Sequence, residues 1–329
     1  MKIFLIIVVI ILMIIFALLL YAGSFLANAV MDRDNNWYNK MGHSLANPDL
    51  FDVAEDDPYT VIENAQNKVA NDFWDKNLTE QVTITSFDGL KLVGNVFKLN
   101  PDSNKWLLGV HGYRSTGRRD MQVIMEHLAR SGEYNILIPD HRSHGESEGK
   151  LITFGHNEKK DILQWTNELL KKEPNAEIVL YGGSMGATTV MLTTELDLPT
   201  NVKGVIADCG YTSAYMEFEL LIKNALKIPS FPLLSFMNFF VRTKGNFDLK
   251  SVDVRPGLNK NELPFLVIHG TGDKFVDVSM AQLNFDADKG AKDLLIVKDA
   301  PHLSSYIYDE DDYFKTVNSF LDNLVWKKG

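Results

Sequence analysis

Apolar residues follow three regimes along the chain. From Ile3 to Val30 they are nearly continuous, and no residue in that run is charged. A helix needs about 20 such residues to cross a hydrocarbon layer about 30 Å thick. Residues 1–30 therefore read as a transmembrane anchor. A cleaved signal peptide is the rival, because Ala27-Asn28-Ala29 offers a small-residue cleavage pattern. Its apolar region, however, usually runs only about 7–15 residues.

Residues 31–79 form the second regime, polar and mixed, with helical spacing in TVIENAQNKVANDFW. This stretch reads as a stalk or leading helical segment. The third regime, 80–329, alternates short apolar runs with amphipathic ones. EQVTITSF and LKLVGNVFKL predict a hairpin around Asp88-Gly89. WLLGVHG, NILIPD, EIVLYGGS, VKGVIAD, PFLVIHG and DLLIVKD read as buried strands. Between and after them, MQVIMEHLARSG, NEKKDILQWTNELLKK, ATTVMLTTEL and YFKTVNSFLDNLVW carry helical spacing. Strands alternating with helices predict an α/β fold, with a mostly parallel central sheet covered on both faces. About 211–261 the alternation breaks into IPSFPLLSFMNFFVRTKGNF. This reads as a short apolar cap insertion over the carboxyl ends of the strands. Its apolar residues have three uses open to them: lining an acyl pocket, facing the membrane, or packing onto the core.

Composition changes this picture little. The 329 residues are 45% hydrophobic and 23% charged, as in ordinary globular proteins. The net charge of −10, with Lys and Arg scattered, argues against a nucleic-acid partner. One cysteine, Cys209, makes no disulfide within the chain and reads as a small buried side chain. Nothing in the sequence sets an oligomeric state. Lys2 and the terminal amine precede the apolar run, while Arg33 and Lys40 follow it among acidic neighbours. Positive-inside counting weakly favours a single-pass protein of the cell membrane with its large domain extracytoplasmic.

The candidate chemistry centres on Gly182-Gly183-Ser184-Met185-Gly186, a G-x-S-x-G pattern between a predicted strand and a predicted helix. That setting lifts a serine oxygen out of a sheet on a strained turn, and Gly182 and Gly186 leave room for the crossing. A serine hydroxyl needs a base, and the base needs a carboxylate to fix its tautomer. His302 lies on the loop after the last strand, and Asp273 follows the strand before it. Asp208 and Asp277 compete with Asp273 for the acid role. Backbone N–H groups of Met185 and Tyr113 are the candidate oxyanion donors. His141 and His144 read as structural, with no further ligands at zinc spacing, so no metal site is expected. No nucleotide motif is present, and no cofactor is expected.

These residues resemble the α/β-hydrolase superfamily over Glu80 to Trp326. The similarity is carried by His111-Gly112-Tyr113, the stretch Asp140 to Ser147, Gly182 to Gly186, His269 to Asp273, and His302. Among its members the chain resembles bacterial membrane-associated hydrolases similar to cinnamoyl esterases. Ser143 stands where a glycine is usual. The resemblance implies a serine hydrolase acting on a small-molecule ester or acyl substrate, with thioesters or amides as lesser options. The alternatives are a peptidase-like hydrolase and a non-enzymatic membrane-anchored binding protein on the same scaffold. Because Ser184, Asp273 and His302 all lie after Gly182, removal of residues 1–30 is expected to leave the chemistry intact.

Overall fold

The computed structural model describes residues 1–35, 37 and 57–326. Eight strands form one sheet in the order β1-β2-β4-β3-β5-β6-β7-β8. They are β1 (Glu80–Thr85), β2 (Lys91–Phe97), β3 (Lys105–Val110), β4 (Asn135–Pro139), β5 (Glu177–Gly183), β6 (Val202–Asp208), β7 (Phe265–Gly270) and β8 (Lys292–Val297). The expected hairpin forms, with Glu80 opposite Val96 and Thr85 opposite Lys91. β2 also pairs antiparallel with β4, and from β4 onward all pairings are parallel. β3, β5, β6 and β7 are apolar on both faces because helices cover both sides. Two buried clusters result. One, below the cap, contains Leu108, Leu180, Val205 and Val267. The other, on the opposite face, contains Leu107, Val179, Ile206 and Leu266.

The longer helices among the described residues are α1 (Lys2–Met31), α2 (Pro58–Asn77), α3 (Gly117–Ala129), α4 (Glu158–Lys172), α5 (Met185–Thr193), α6 (Ala214–Leu226), α7 (Leu233–Gly245), α8 (Ser279–Ala287) and α9 (Glu310–Asp322). Each helical stripe read from the sequence falls on one of them, and those starting at Met121, Ala187 and Tyr313 run three or four residues past the helix end. Asp57 caps α2 by accepting from the N–H groups of Tyr59 and Thr60. The region 211–261 holds α6 and α7, between β6 and β7.

α1 is a helix long and apolar enough to span a membrane, and its most apolar stretch is unburied. At 1.5 Å per residue its 30 residues reach about 45 Å, longer than a bilayer core. Its last third behaves differently. Gly23, Ala27, Ala29, Val30 and Met31 are buried, chiefly against α7. A Cβ on Gly23 would lie 2.7 Å from backbone and Cβ atoms of Phe236, so only a glycine permits this approach. The two helices run alongside each other in the same direction. Phe16 meets Phe236 edge to face, and Lys244 reaches Asn28.

The carboxyl end of α1 is also tied by hydrogen bonds. A helix leaves its last carbonyls without partners, and here the globular domain supplies donors. Tyr113 donates to the Val30 carbonyl at 2.7 Å, and Ile152 N–H to that of Met31 at 2.8 Å. The Arg114 guanidinium donates to the carbonyls of Ala29, Asp32 and Arg33. A cation there also suits the negative end of the helix dipole. Arg33 reaches back to the carbonyls of Ser147 and Gly145.

Gly23→Leu forces overpacking at the α1–α7 contact and is expected to destabilise the protein by about 1–3 kcal/mol. Phe4→Ala, on the exposed part of the same helix, is expected to change little. Thermal unfolding of the purified protein in detergent checks both.

Candidate active site

β5 runs into α5 through Ser184, whose backbone sits at φ 55° and ψ −121°. Such geometry costs a non-glycine residue about 1–3 kcal/mol and persists only where its surroundings enforce it. A Cβ on Gly182 would lie 2.3 Å from the Gly186 carbonyl oxygen. One on Gly186 would lie 2.0 Å from the Val110 carbonyl oxygen at the end of β3. The turn is therefore wedged between its own helix and the adjacent strand. Ser184 N–H donates to the Asp208 carbonyl, and the Ser184 carbonyl accepts from Thr188. The hydroxyl is thus projected at the carboxyl ends of β3 and β5. There the strand order reverses, and open sheets form a ligand crevice at such a point.

His302 meets this hydroxyl from the loop after β8. Its Nε2 lies 2.7 Å from Ser184 Oγ, and its Nδ1 lies 2.6 Å from Asp273 Oδ2. The carboxylate accepts only from a protonated Nδ1, which leaves Nε2 with a lone pair facing the serine. Asp273 is fixed in turn. Its Oδ1 accepts from the N–H groups of Phe275 and Val276, and its Oδ2 lies 3.1 Å from His269 Nε2. Burial pushes the Asp273 pKa up. The charge and hydrogen bonds of His302 and His269 outweigh it and hold the carboxyl below its ordinary value. Burial pushes His302 down, and Asp273 more than offsets it, so the imidazole pKa is raised above its ordinary 6.5.

The two competing acids are placed elsewhere. The Asp208 carboxyl accepts from Tyr313 at 2.7 Å and from the Cys209 thiol at 3.1 Å, in a buried network beneath the sheet end. Asp277 accepts from the Ser279 N–H at the start of α8. Neither carboxyl has a recorded bond to His302.

The two candidate oxyanion donors belong to Met185 and Tyr113, both of which line the space beside Ser184. Met185 is the first residue of α5, so its N–H has no acceptor within the helix. The His111-Gly112-Tyr113 loop is pinned from three sides. Gly112 N–H donates to Asp120 Oδ2, the His111 ring donates through Nδ1 to the Gly112 carbonyl, and His111 Nε2 accepts from His141 N–H. The Arg114 N–H donates to His144 Nε2. Burial, with His111 alongside, lowers the His144 pKa to about 3, so this ring is neutral and supports the loop. Ser143 takes φ 62°, the left-handed conformation glycine adopts freely, and its hydroxyl donates to the Leu151 carbonyl. Serine therefore serves at that position.

Beside Ser184 lies a cleft of about 420 Å³, counting its open mouth, walled by Tyr113, Met185, Phe154, Tyr211 and Phe275. From α6 come Ala214, Glu217, Phe218 and Leu221, and from α1 comes Val30. The insertion divides between these surroundings. α6 lines the cleft, α7 packs on α1, and Phe231 and Phe239 remain exposed. Val30 alters the expectation for residues 1–30. The helix end is a wall of the cleft, and Tyr113, which bonds to it, is also a wall. Residues 1–30 thus contribute a wall of the cleft as well as the apolar helix, although Ser184, Asp273 and His302 lie far downstream.

Among the described residues, one group combines ligand types within reach of a metal ion: Cys209, Asp273 and His302, with ligand atoms within 4.8 Å of one another. Both His302 nitrogens are already engaged, and the Cys209 thiol, its pKa pushed well up by burial, donates to Asp208. These donors fit a proton relay better than a metal.

The comparisons agree with this architecture. Residues 105–249 match the family described as the alpha/beta hydrolase fold. The chain has the α/β-hydrolase fold. It is 33% identical over 200 residues to the Bacillus subtilis protein YqkD, covering 60% of this chain and 65% of that one. The chain thus spans just under two thirds of that relative. It is 26% identical over 238 residues to human monoglyceride lipase, covering 58% of this chain and 78% of the lipase. Among solved structures, the Pyrococcus furiosus esterase Pf2001 is similar, with a TM-score of 0.61 and 25% identity. That match covers 76% of this chain and 94% of the esterase.

His302 is expected to titrate above about 6.5 in an NMR pH titration. Asp273→Asn removes the charge that raises it and is expected to lower its pKa.

Proposed function

We propose that this α/β-hydrolase is a membrane-anchored serine hydrolase that cleaves carboxylic esters through an acyl-enzyme on Ser184. The observation that carries the proposal is the hydrogen-bonded chain Ser184–His302–Asp273 at 2.7 and 2.6 Å, beside an apolar cleft. Esterase and lipase relatives support the same class of activity.

In this reading Ser184 Oγ attacks the ester carbonyl as its proton passes to His302 Nε2. The N–H groups of Met185 and Tyr113 hold the developing oxyanion. The tetrahedral species expels the alcohol, which takes the proton from His302. Water then attacks the acyl-enzyme, with His302 again as base, and the acid leaves as Ser184 is restored. Asp273 keeps the imidazole in the required tautomer and steadies its charged form. The aromatic and aliphatic walls suit an acyl or lipid-like ester over a charged one. Thioesters and amides share the mechanism and are lesser options. No particular observation favours a binding protein without activity.

Residues 3–22 act as the membrane span in this reading, and 23–31 pack on the globular domain, with Val30 in the cleft wall. With Lys2 and the amine on the cytoplasmic side, the globular domain lies extracytoplasmically at the cell membrane.

Ser184→Ala is expected to lower kcat on a short soluble ester at least 10³-fold. Asp273→Asn should cost about 10⁴-fold if it misplaces the tautomer as in the serine-protease template. Asp208→Asn should cost far less. Steady-state kinetics on folded variants check the ranking, and a larger loss for Asp208→Asn would move the acid. His302 must be neutral to act as base, so kcat/KM should fall as pH drops through its raised pKa. The acid limb is then centred above about 6.5, and a flat profile from about pH 5 to 8 would contradict the role.

The full chain is expected to resist carbonate extraction from membranes. Deleting residues 1–22 should release it and keep kcat/KM on a short ester within about threefold. Deleting 1–30 removes Val30 and the carbonyls bound by Tyr113 and Arg114, and should lower kcat/KM by tenfold or more. Equal activity of the two truncations would show that the helix end is not needed by the site.

A further inference from the structure

The cleft contains one group that the hydrolysis scheme does not use. Glu217 sits in the first turn of α6 and is 4% exposed. Among the described residues, neither of its carboxyl oxygens has a hydrogen-bond partner. A buried carboxyl without partners is costly, and native structures retain few such groups. Its position makes it informative, since Glu217 shares the lining of the cleft with Ser184 and the candidate oxyanion donor Met185.

The other polar side chains on the wall point elsewhere. Tyr211 donates to the Phe154 carbonyl, and Tyr113 to that of Val30. Apart from Ser184, Glu217 is therefore the polar residue of this lining whose side chain has no recognised acceptor or donor among the described residues. Its surroundings favour the neutral form. Burial pushes the Glu217 pKa well above the ordinary value, and the negative charges of Asp273 and Asp277 push it further. A neutral carboxyl has an O–H to donate and a carbonyl oxygen to accept. A single hydroxyl satisfies both at once.

We propose that Glu217 is a specificity residue that hydrogen-bonds a hydroxyl group on the substrate, so that the preferred substrates are hydroxyl-bearing esters rather than plain hydrocarbon ones. The inference rests on the Ser184 hydrolase reading and deepens it. A site with a buried group awaiting a hydroxyl rejects the analogue lacking it, because the group then stays unpaired in the complex. The bond forms as the hydroxyl leaves water, so discrimination appears in kcat/KM.

The test compares two ester pairs matched in size. One pair differs in the alcohol, 2-hydroxyethyl against propyl butanoate. The other differs in the acyl group, ethyl 3-hydroxybutanoate against ethyl 3-methylbutanoate. The full-length wild type is expected to prefer the hydroxyl member of at least one pair by about 10- to 100-fold. Glu217→Leu should bring that ratio to near one or below, while still hydrolysing the plain ester and taking a fluorophosphonate probe. Glu217→Gln, which keeps a donor and an acceptor, should retain most of the preference. A wild type that prefers neither hydroxyl member overturns the proposal, whatever the variants do. So does a Glu217→Leu protein whose ratios stay within twofold of wild type. If Glu217→Leu does not fold, the wild-type ratios and those of Glu217→Gln decide. A wild type that takes no probe and hydrolyses none of the esters overturns the hydrolase reading itself, and this inference falls with it.

Discussion

The close crossing of β5, α5 and the end of β3 is the constraint on which the rest of the site depends. Side chains are absent at Gly182 and Gly186 because a Cβ at either would lie within 2.3 Å of a carbonyl oxygen. That crowding holds Ser184 in a backbone conformation it would otherwise avoid, and so holds its hydroxyl clear of the sheet. His302 and Asp273 are useful only because the hydroxyl is there to meet them. They arrive on loops after β8 and β7, and the parallel register of those strands brings the loops to one end of the sheet. The same close approach sets the candidate oxyanion donors. Val110, whose carbonyl limits Gly186, leads directly into His111-Gly112-Tyr113.

The second structural theme is the joining of a lipid-type helix to a soluble catalytic fold. α1 is exposed along most of its length and buried over its last turns. The domain caps its carbonyls with Tyr113, Arg114 and Ile152. Tyr113 belongs at once to that cap, to the cleft wall and to the candidate oxyanion loop. The end of α1 and the wall of the cleft therefore share residues.

Much of this was legible in the sequence, for physical reasons. Alternation and apolar runs gave the strands, because a sheet covered on both faces demands them. The G-x-S-x-G pattern identified the turn, because steric exclusion at two positions leaves a glycine signature. Chain order after the last strands pointed to Asp273 and His302, although residue type alone could not separate Asp273 from Asp208. Their separation came from three dimensions, since Asp208 faces Tyr313 beneath the sheet. The role of Val30 was invisible because one more valine in an apolar run carries no sign of what it touches. The contacts of Tyr113 and Arg114 span some 80 residues of sequence and leave no local mark. Glu217 reads from sequence as an ordinary acidic residue near a helix start, where solvated acids are common. Only its burial without a partner sets it apart. Gly23 also had a signal available, since small residues mark close helix contacts, but its partner helix could not be named from the chain alone.

The central claim is that Ser184 becomes covalently acylated. The most direct measurement is intact-mass and peptide mass spectrometry after reaction with a fluorophosphonate, and after rapid acid quenching of turnover on an activated ester. The account predicts one adduct per chain, in the peptide containing Gly182 to Gly186 and fragmenting to Ser184. It also predicts a transient acyl mass on that same residue during turnover. Ester hydrolysis with no adduct on Ser184, or with the adduct on another residue, would contradict it.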